Sequence, residues 1–191
     1  MPELTTPQLV QLIVFVLCVG AYTIAAAVWD IRVKKIPNKL TLPVFGLGLV
    51  YQIGFNGLAG LGDAGLGFLL GFGLLFLLWM IGSGGGGDVK LIGGLSVWLG
   101  WKMTGFVLLG STGLAALGTF FILIYSMMFK GVFKTKDKFT SSAARDVKKG
   151  EKLKKETIKD RVARRPMGFA VPVALATWLV IVWQLPKFPW V

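Results

Sequence analysis

Three carboxylates stand out because they lie among long apolar segments: Asp30, Asp63 and Asp88. Ionisable side chains within a membrane are costly, and they are therefore candidates for function. The chain contains no histidine and a single cysteine, Cys18. This composition excludes histidine-based triads, histidine-ligated metals and paired-cysteine zinc sites. Any catalysis must use carboxylates, hydroxyls or lysines.

A pair of aspartates is sufficient to activate water. In an aspartic protease one carboxylate acts as general base while its protonated partner polarises the scissile carbonyl, and like charges held close share one proton. We expect Asp30 and Asp88 to form such a pair, with no metal and no cofactor, and leave open which of them holds the proton. Each also has a structural interpretation: Asp30 could pair with Arg32 or Lys34, and Asp88 could cap the following helix.

The elements that must position these aspartates are membrane helices, because 54% of the 191 residues are hydrophobic and only 16% are charged. About 20 helical residues cross the ~30 Å hydrocarbon layer, and continuous apolar runs favour helices over a barrel. We predict an all-α, polytopic membrane helical bundle with about six transmembrane helices, forming one integral membrane domain over residues 1–191. The charge-free stretches are 4–29, 40–62, 64–87, 91–101, 103–129 and 166–186.

The lysines and arginines predict how the chain is oriented. Basic residues follow the first apolar segment at 32–39 and precede the last one at 130–165, and such clusters are typical of cytoplasmic loops. This topology places Asp30 and Asp88 on the cytoplasmic side and Asp63 in a solvated outer turn. We therefore predict a multi-pass protein of the inner (cytoplasmic) membrane whose active site faces the cytoplasm.

The longest hydrophilic segment, residues 131–165, carries 13 basic and 5 acidic residues. We expect it to form a solvated cytoplasmic loop, held against anionic lipid headgroups by its net positive charge. Nucleic acid is not an expected partner, because few aromatic residues alternate with the charges. The net charge of +12 is explained by the topology.

Five glycines crowd residues 82–87, immediately before Asp88. Such a run cannot continue a stable helix, and irregular backbone at membrane depth must be buried in protein or line a wet cavity. A helix from Asp88 to Trp101 is only ~20 Å long at about 1.5 Å per residue. We therefore expect Asp88 to be partly buried below the membrane surface.

Three motifs resemble those of the prepilin peptidases. Residues 30–41, an aspartate followed by a basic turn and Ile36-Pro37-Asn38, resemble the first catalytic motif of that family. The run from Gly85 to Leu91 matches its Gly-x-Gly-Asp-x-Lys motif, and residues 165–174 resemble the Pro-x-Gly segment that opens its last helix. Their order, spacing and membrane side agree over nearly the whole chain.

The resemblance implies a function and a set of site residues. Asp30 and Asp88 would be the catalytic pair of an aspartic endopeptidase, which removes the short basic leader of a prepilin just before its hydrophobic helix. The supporting residues implied by the motifs are Pro37, Asn38, Gly85, Gly87 and Lys90. Larger relatives carry an added part with paired cysteines and N-methylate the new terminus. Here segments one and two leave no room for it, which favours a short, peptidase-only form.

Other functions stay open at this level. An intramembrane protease similar to signal-peptide peptidase shares the Gly-x-Gly-Asp motif, although Asp30 lies in an Ile-Pro-Asn context rather than a Tyr-Asp one. A small transporter or channel could use the aspartates as cation ligands beside a glycine-lined pore. A hydrolase could also bind a metal through Asp30 and Asp88. The sequence decides neither the particular pilin, nor a bacterial or archaeal system, nor the oligomeric state.

Overall fold

The computed structural model describes residues 5–33, 36–82, 85–130 and 168–188, which are helical almost throughout and include no strand. This confirms the predicted all-α class. The elements are α1 (Thr6–Val33), α2 (Asn38–Phe68), a π-helical turn (Leu69–Gly73), α3 (Leu74–Met80), α4 (Gly86–Lys130), α5 (Ala170–Gln184) and a 3-10 turn (Leu185–Lys187).

Four helical stretches are long and apolar enough to cross a membrane: Thr6–Val33, Asn38–Met80, Gly86–Tyr125 and Ala170–Lys187. Many of their large apolar side chains are exposed on the protein surface. Such a surface is stable in lipid, where exposed apolar side chains carry no penalty. The chain is therefore a multi-pass membrane protein.

Two of the four stretches are too long for a single straight crossing. Asn38–Met80 has 43 residues and Gly86–Tyr125 has 40, which corresponds to about 60 Å or more of helix, twice the hydrocarbon thickness. Each contains one glycine outside helical geometry: Gly57 (φ 61, ψ −149) and Gly100 (φ 70, ψ 179). These breaks lie close to the turns that the sequence predicted. Six crossings stay a prediction.

Two polar side chains of α2 form hydrogen bonds with backbone groups that the break at Gly100 leaves without helical partners. The side-chain amide of Gln52 donates to the carbonyls of Val97 and Trp98, at 3.1 and 3.3 Å. The Asp63 carboxylate accepts the backbone N–H of Trp101. A helix break leaves unpaired carbonyls on one side and unpaired amides on the other, and these groups must find partners in a membrane.

The expectation of a solvated turn at Asp63 was wrong. The residue lies within α2, and it is half-buried. Its carboxylate lies directly against Gly100, in the space that a β-carbon there would occupy. The backbone departs from helical geometry at Gly57 instead, which allows the chain to continue as a helix through residues 60–63.

Glycines on α2 allow α4 to approach closely. A methyl group at Gly67 would lie 2.7 Å from the backbone carbonyl carbon of Gly100, and one at Gly48 would lie 2.7 Å from Nε1 of Trp98. That indole nitrogen donates to the carbonyl of Val44 at 2.8 Å. Small residues at such contacts let helices pack through their backbones, as is common between membrane helices.

The chain divides into two compact units. The first contains the described residues up to Thr112 together with those from Phe169 onward, and the second is Gly113–Gly168. The basic segment 131–165 lies outside the described residues. The loop at this position and the single domain over residues 1–191 both stay predictions.

Candidate active site

Asp30 lies in the last turn of α1 and is 8% exposed. Its Oδ2 accepts a hydrogen bond of 3.1 Å from the backbone amide of Ala170, the first residue of α5. Amides in the first turn of a helix have no partner within that helix. The Asp30 carboxylate supplies one, and so it joins the end of α1 to the beginning of α5.

Asp88 lies in the first turn of α4 and is half-buried, as the sequence predicted. The carbonyl of Gly85 accepts the amides of Asp88 and Val89, at 3.0 and 3.3 Å, and these bonds begin the helix. A carboxylate in the first turn interacts favourably with the positive end of the helix dipole. Residue Gly82, with φ 86, lies within the predicted break between α3 and α4.

Two contacts establish the relative direction of α1 and α4. The hydroxyl of Tyr22 donates to the carbonyl of Leu91 at 3.0 Å, and the ring centroids of Phe15 and Trp98 are 6.5 Å apart. The earlier residue of α1 meets the later residue of α4, so the helices are antiparallel. The end of α1 and the beginning of α4 therefore lie at the same end of the bundle, and with them Asp30 and Asp88.

The heights of the two aspartates along the bundle follow from the same contacts. At 1.5 Å per residue, Tyr22 lies about 12 Å along α1 from Asp30, and Leu91 lies about 5 Å along α4 from Asp88. Since Tyr22 and Leu91 are in contact, Asp88 lies about 7 Å nearer the middle of the bundle than Asp30. This arrangement agrees with a carboxylate positioned below the membrane surface.

The segment that follows Asp30 lies against the glycine motif that precedes Asp88. Ile36 is buried, and a methyl group at Gly87 would lie 3.7 Å from its amide nitrogen. Pro37 has an extended backbone (φ −75, ψ 143) and precedes the first residue of α2, and its carbonyl accepts the amides that begin this helix. Asn38 and Lys90 are exposed at the same end. The two sequence motifs thus meet through Ile36 and Gly87.

Sequence reasoning missed two groups at this site. Tyr22 is 2% exposed and anchors α1 to α4 two turns before Asp30, and the amide of Ala170 binds the Asp30 carboxylate. A hydroxyl in the apolar first segment was a usable signal for Tyr22. The amide of Ala170 had no side-chain signal of its own, because every residue except proline carries one.

The Tyr22 contact gives a testable prediction. A methyl group at Gly94 would lie 2.8 Å from the Tyr22 hydroxyl oxygen, which is buried and hydrogen-bonded. We expect Gly94→Ala to displace that ring, to lower the free energy of unfolding by about 1–3 kcal/mol, and to reduce activity. Thermal unfolding in detergent measures the first effect. Gly46→Ala is the control, because nothing lies within 4 Å of a methyl group there.

An unchanged melting temperature in Gly94→Ala would show that α1 shifts without cost. Tyr22→Phe separates the contribution of the hydrogen bond to stability from that of ring packing, because it removes the hydrogen bond and keeps the ring. We expect it to cost about 1 kcal/mol, the usual net contribution of one hydrogen bond.

The fold and site together define a class: an α-helical, multi-pass membrane protein with two acidic side chains at one end of an antiparallel helix pair. The chain belongs to the type IV leader peptidase family, peptidase family A24, whose sequence profile matches residues 15–133. This family consists of proteases. The recognition of a prepilin-peptidase relative from its motifs is thereby confirmed.

Individual relatives agree with this assignment. Proteins named prepilin leader peptidase/N-methyltransferase are 33% identical in Escherichia coli K12 over 116 residues, 33% in Aeromonas hydrophila over 127, and 35% in Dickeya chrysanthemi over 109. These alignments cover 57%, 58% and 52% of this chain, and 49%, 43% and 38% of the relatives. The chain thus aligns with less than half the length of these relatives. No solved structure matches it.

Proposed function

We propose that this protein is a membrane aspartic endopeptidase that removes the leader peptide of type IV or Flp-like prepilins. One observation carries the proposal: in a member of a leader peptidase family, Asp30 and Asp88 lie at the same end of two adjacent antiparallel helices. The relatives are named for prepilin cleavage. The substrate is accordingly a prepilin, whose apolar helix lies in the bilayer beside α1 and α4.

The chemistry needs the two carboxylates and one water molecule. The ionised aspartate takes a proton from water as the oxygen attacks the scissile carbonyl carbon, and the protonated aspartate gives its proton to the carbonyl oxygen. In the resulting diol, one hydroxyl returns a proton to the aspartate that gave one up, the amide nitrogen receives the proton that was taken from water, and the C–N bond breaks. The amide of Ala170 donates to Oδ2 of Asp30 and so helps to orient this carboxyl group.

We further propose cleavage without N-methylation. α1 ends at Val33 and α2 begins at Asn38, so the connection between these two helices contains no paired-cysteine part. The single cysteine, Cys18, lies within α1. Methyl transfer from a labelled donor to the processed pilin by this chain alone would contradict this part.

Cytoplasmic cleavage at the inner membrane completes the proposal. Arg32, Lys39 and Lys90 are exposed at the same end as the two aspartates. Positive residues are concentrated on the cytoplasmic side of membrane proteins. This charge bias supports an active site that faces the cytoplasm.

The test is co-expression of the full chain with a prepilin, followed by immunoblotting of the membrane fraction. We expect a shortened pilin, whereas a transporter or channel would leave the precursor intact. Repeating the cleavage with isolated membranes in strong chelator separates the two hydrolase mechanisms. Unchanged cleavage supports the aspartate pair, and loss of cleavage that added metal restores would overturn it in favour of a metal-dependent hydrolase.

A further inference from the structure

A groove between α2 and α4 lies beside the candidate active site: it shares Asn38 and Lys90 with the motifs, and neither aspartate lines it. Its volume is about 290 Å³, and it opens at the protein surface. Three aromatic rings form its wall: Phe45 packs edge-on against Phe68 with centroids 5.3 Å apart, and Phe68 stacks on Phe72 at 4.8 Å. Its lining also includes Leu42, which is 65% exposed. The groove thus offers an apolar surface that faces outward from the bundle.

One end of this groove is polar and cationic. Lys90 and Asn38 line it there, both are exposed, and no carboxylate belongs to the lining residues. Both residues lie at the end of the bundle that carries Asp30 and Asp88. The groove therefore matches a long apolar ligand whose head is anionic and lies at the level of the membrane surface.

The groove lies on another face of α4 than Asp88. Successive residues of an α-helix are rotated by about 100°, so Lys90 is about 160° around the helix from Asp88 and Gly93 about 140°. Both of these residues line the groove, and Asp88 does not. A peptide bound in the groove would therefore be separated from the Asp88 carboxylate by the body of α4.

We propose that this groove binds an anionic phospholipid from the leaflet at the aspartate end of the bundle. One acyl chain lies along the wall formed by Phe45, Phe68 and Phe72, and the phosphate contacts Lys90. Three features favour a lipid over a protein helix: the groove opens at the protein surface beside the exposed Leu42, its single charged lining residue is a cation at the aspartate end of the bundle, and it lies on another face of α4 than Asp88. Each lysine near a membrane surface favours anionic headgroups.

Native mass spectrometry of the purified full chain tests the proposal, with phosphatidylglycerol and phosphatidylcholine added at equal concentrations. We expect one lipid to be retained, with phosphatidylglycerol favoured about fivefold because of one lysine. Lys90→Gln should bring the ratio close to one. Lys39→Gln is the matched control, since Lys39 is exposed at the same end and does not line the groove.

A second pair of variants tests the apolar wall. Leu42→Trp places a bulky ring in the groove, and we expect it to reduce retention of both lipids. Leu47→Trp is its control, because Leu47 is a 55% exposed residue of α2 outside the groove.

Several outcomes would overturn the lipid site. They are equal retention of the two lipids by the wild type, full retention in Leu42→Trp, and equal effects of the two lysine variants. The competing occupant is a substrate helix. If a synthetic leader-helix peptide displaces phosphatidylglycerol from the wild type and fails to bind Leu42→Trp, the groove belongs to the substrate and the proposal is wrong.

Discussion

Replacing either Asp30 or Asp88 by asparagine is expected to stop prepilin cleavage, with a loss of at least about a hundredfold in rate. An amide can neither take a proton from water nor donate one as a carboxylic acid does. Because the two groups act as a unit, removing either should cost nearly as much as removing both. The measurement is the fraction of shortened pilin in membranes that contain equal amounts of each variant.

Asparagine is the informative replacement because it preserves shape. At Asp30 its side-chain oxygen can still accept the amide of Ala170, so the contact between α1 and α5 survives. At Asp88 the substitution is nearly isosteric in the first turn of α4. A loss of cleavage with an unchanged melting temperature therefore reports on proton transfer rather than on folding.

The matched control is Asp63→Asn, the third carboxylate among the apolar segments. Asp63 accepts the backbone amide of Trp101, and an asparagine oxygen can replace it in this role. We expect this variant to cleave as the wild type does. Near-normal cleavage by either Asp30→Asn or Asp88→Asn would exclude the paired-aspartate mechanism.

The second large effect is expected from Gly100→Ala, as a loss of stability. The backbone of Gly100 (φ 70, ψ 179) lies in a region that only glycine adopts readily, and a β-carbon would occupy the place of the Asp63 carboxylate. Backbone strain and overpacking together should cost about 2–6 kcal/mol. Tryptophan fluorescence during thermal unfolding in detergent measures the shift.

Alanine variants of two other glycines allow the cost of backbone strain to be measured apart from the cost of overpacking. Gly57→Ala carries similar backbone strain (φ 61, ψ −149) with no neighbour within 4 Å, so we expect a loss of about 1–3 kcal/mol. Gly113 is helical and open, and alanine there should be neutral or slightly stabilising. If Gly100→Ala is no less stable than Gly57→Ala, the Asp63 carboxylate moves aside without cost and our account of the break is incorrect.

The residues of the candidate site could be predicted from the sequence because each of its two motifs is a short, continuous stretch of chain. The glycine run that ends before Asp88, and the proline that ends the turn after Asp30, each restrict the backbone over a few residues. The family match confirms the recognition based on these motifs. The catalytic roles of Asp30 and Asp88 stay predictions that the asparagine variants test.

Asp63 shows where local reasoning failed. Three flanking residues, Gly60 to Gly62, indicated a turn, but the chain is helical there and breaks at Gly57. Whether this segment forms a turn or a helix depends on the neighbouring helix. The break at Gly100 needs an acceptor for the Trp101 amide, and Asp63 provides it. The residues next to Asp63 in the sequence carry no information about this need for a hydrogen-bond acceptor.

The amino-acid sequence by itself determined that the protein is helical, that it lies in a membrane, and that its helical structure is interrupted before Asp88. These properties depend on apolar run lengths and on glycine content, which act within short stretches of chain. Tertiary structure alone decided that the Asp30 carboxylate meets the amide of Ala170, 140 residues away, and that Tyr22 reaches Leu91. Such contacts depend on how each helix is rotated and how far it is displaced along its neighbour. Close packing of side chains across the whole bundle determines both quantities.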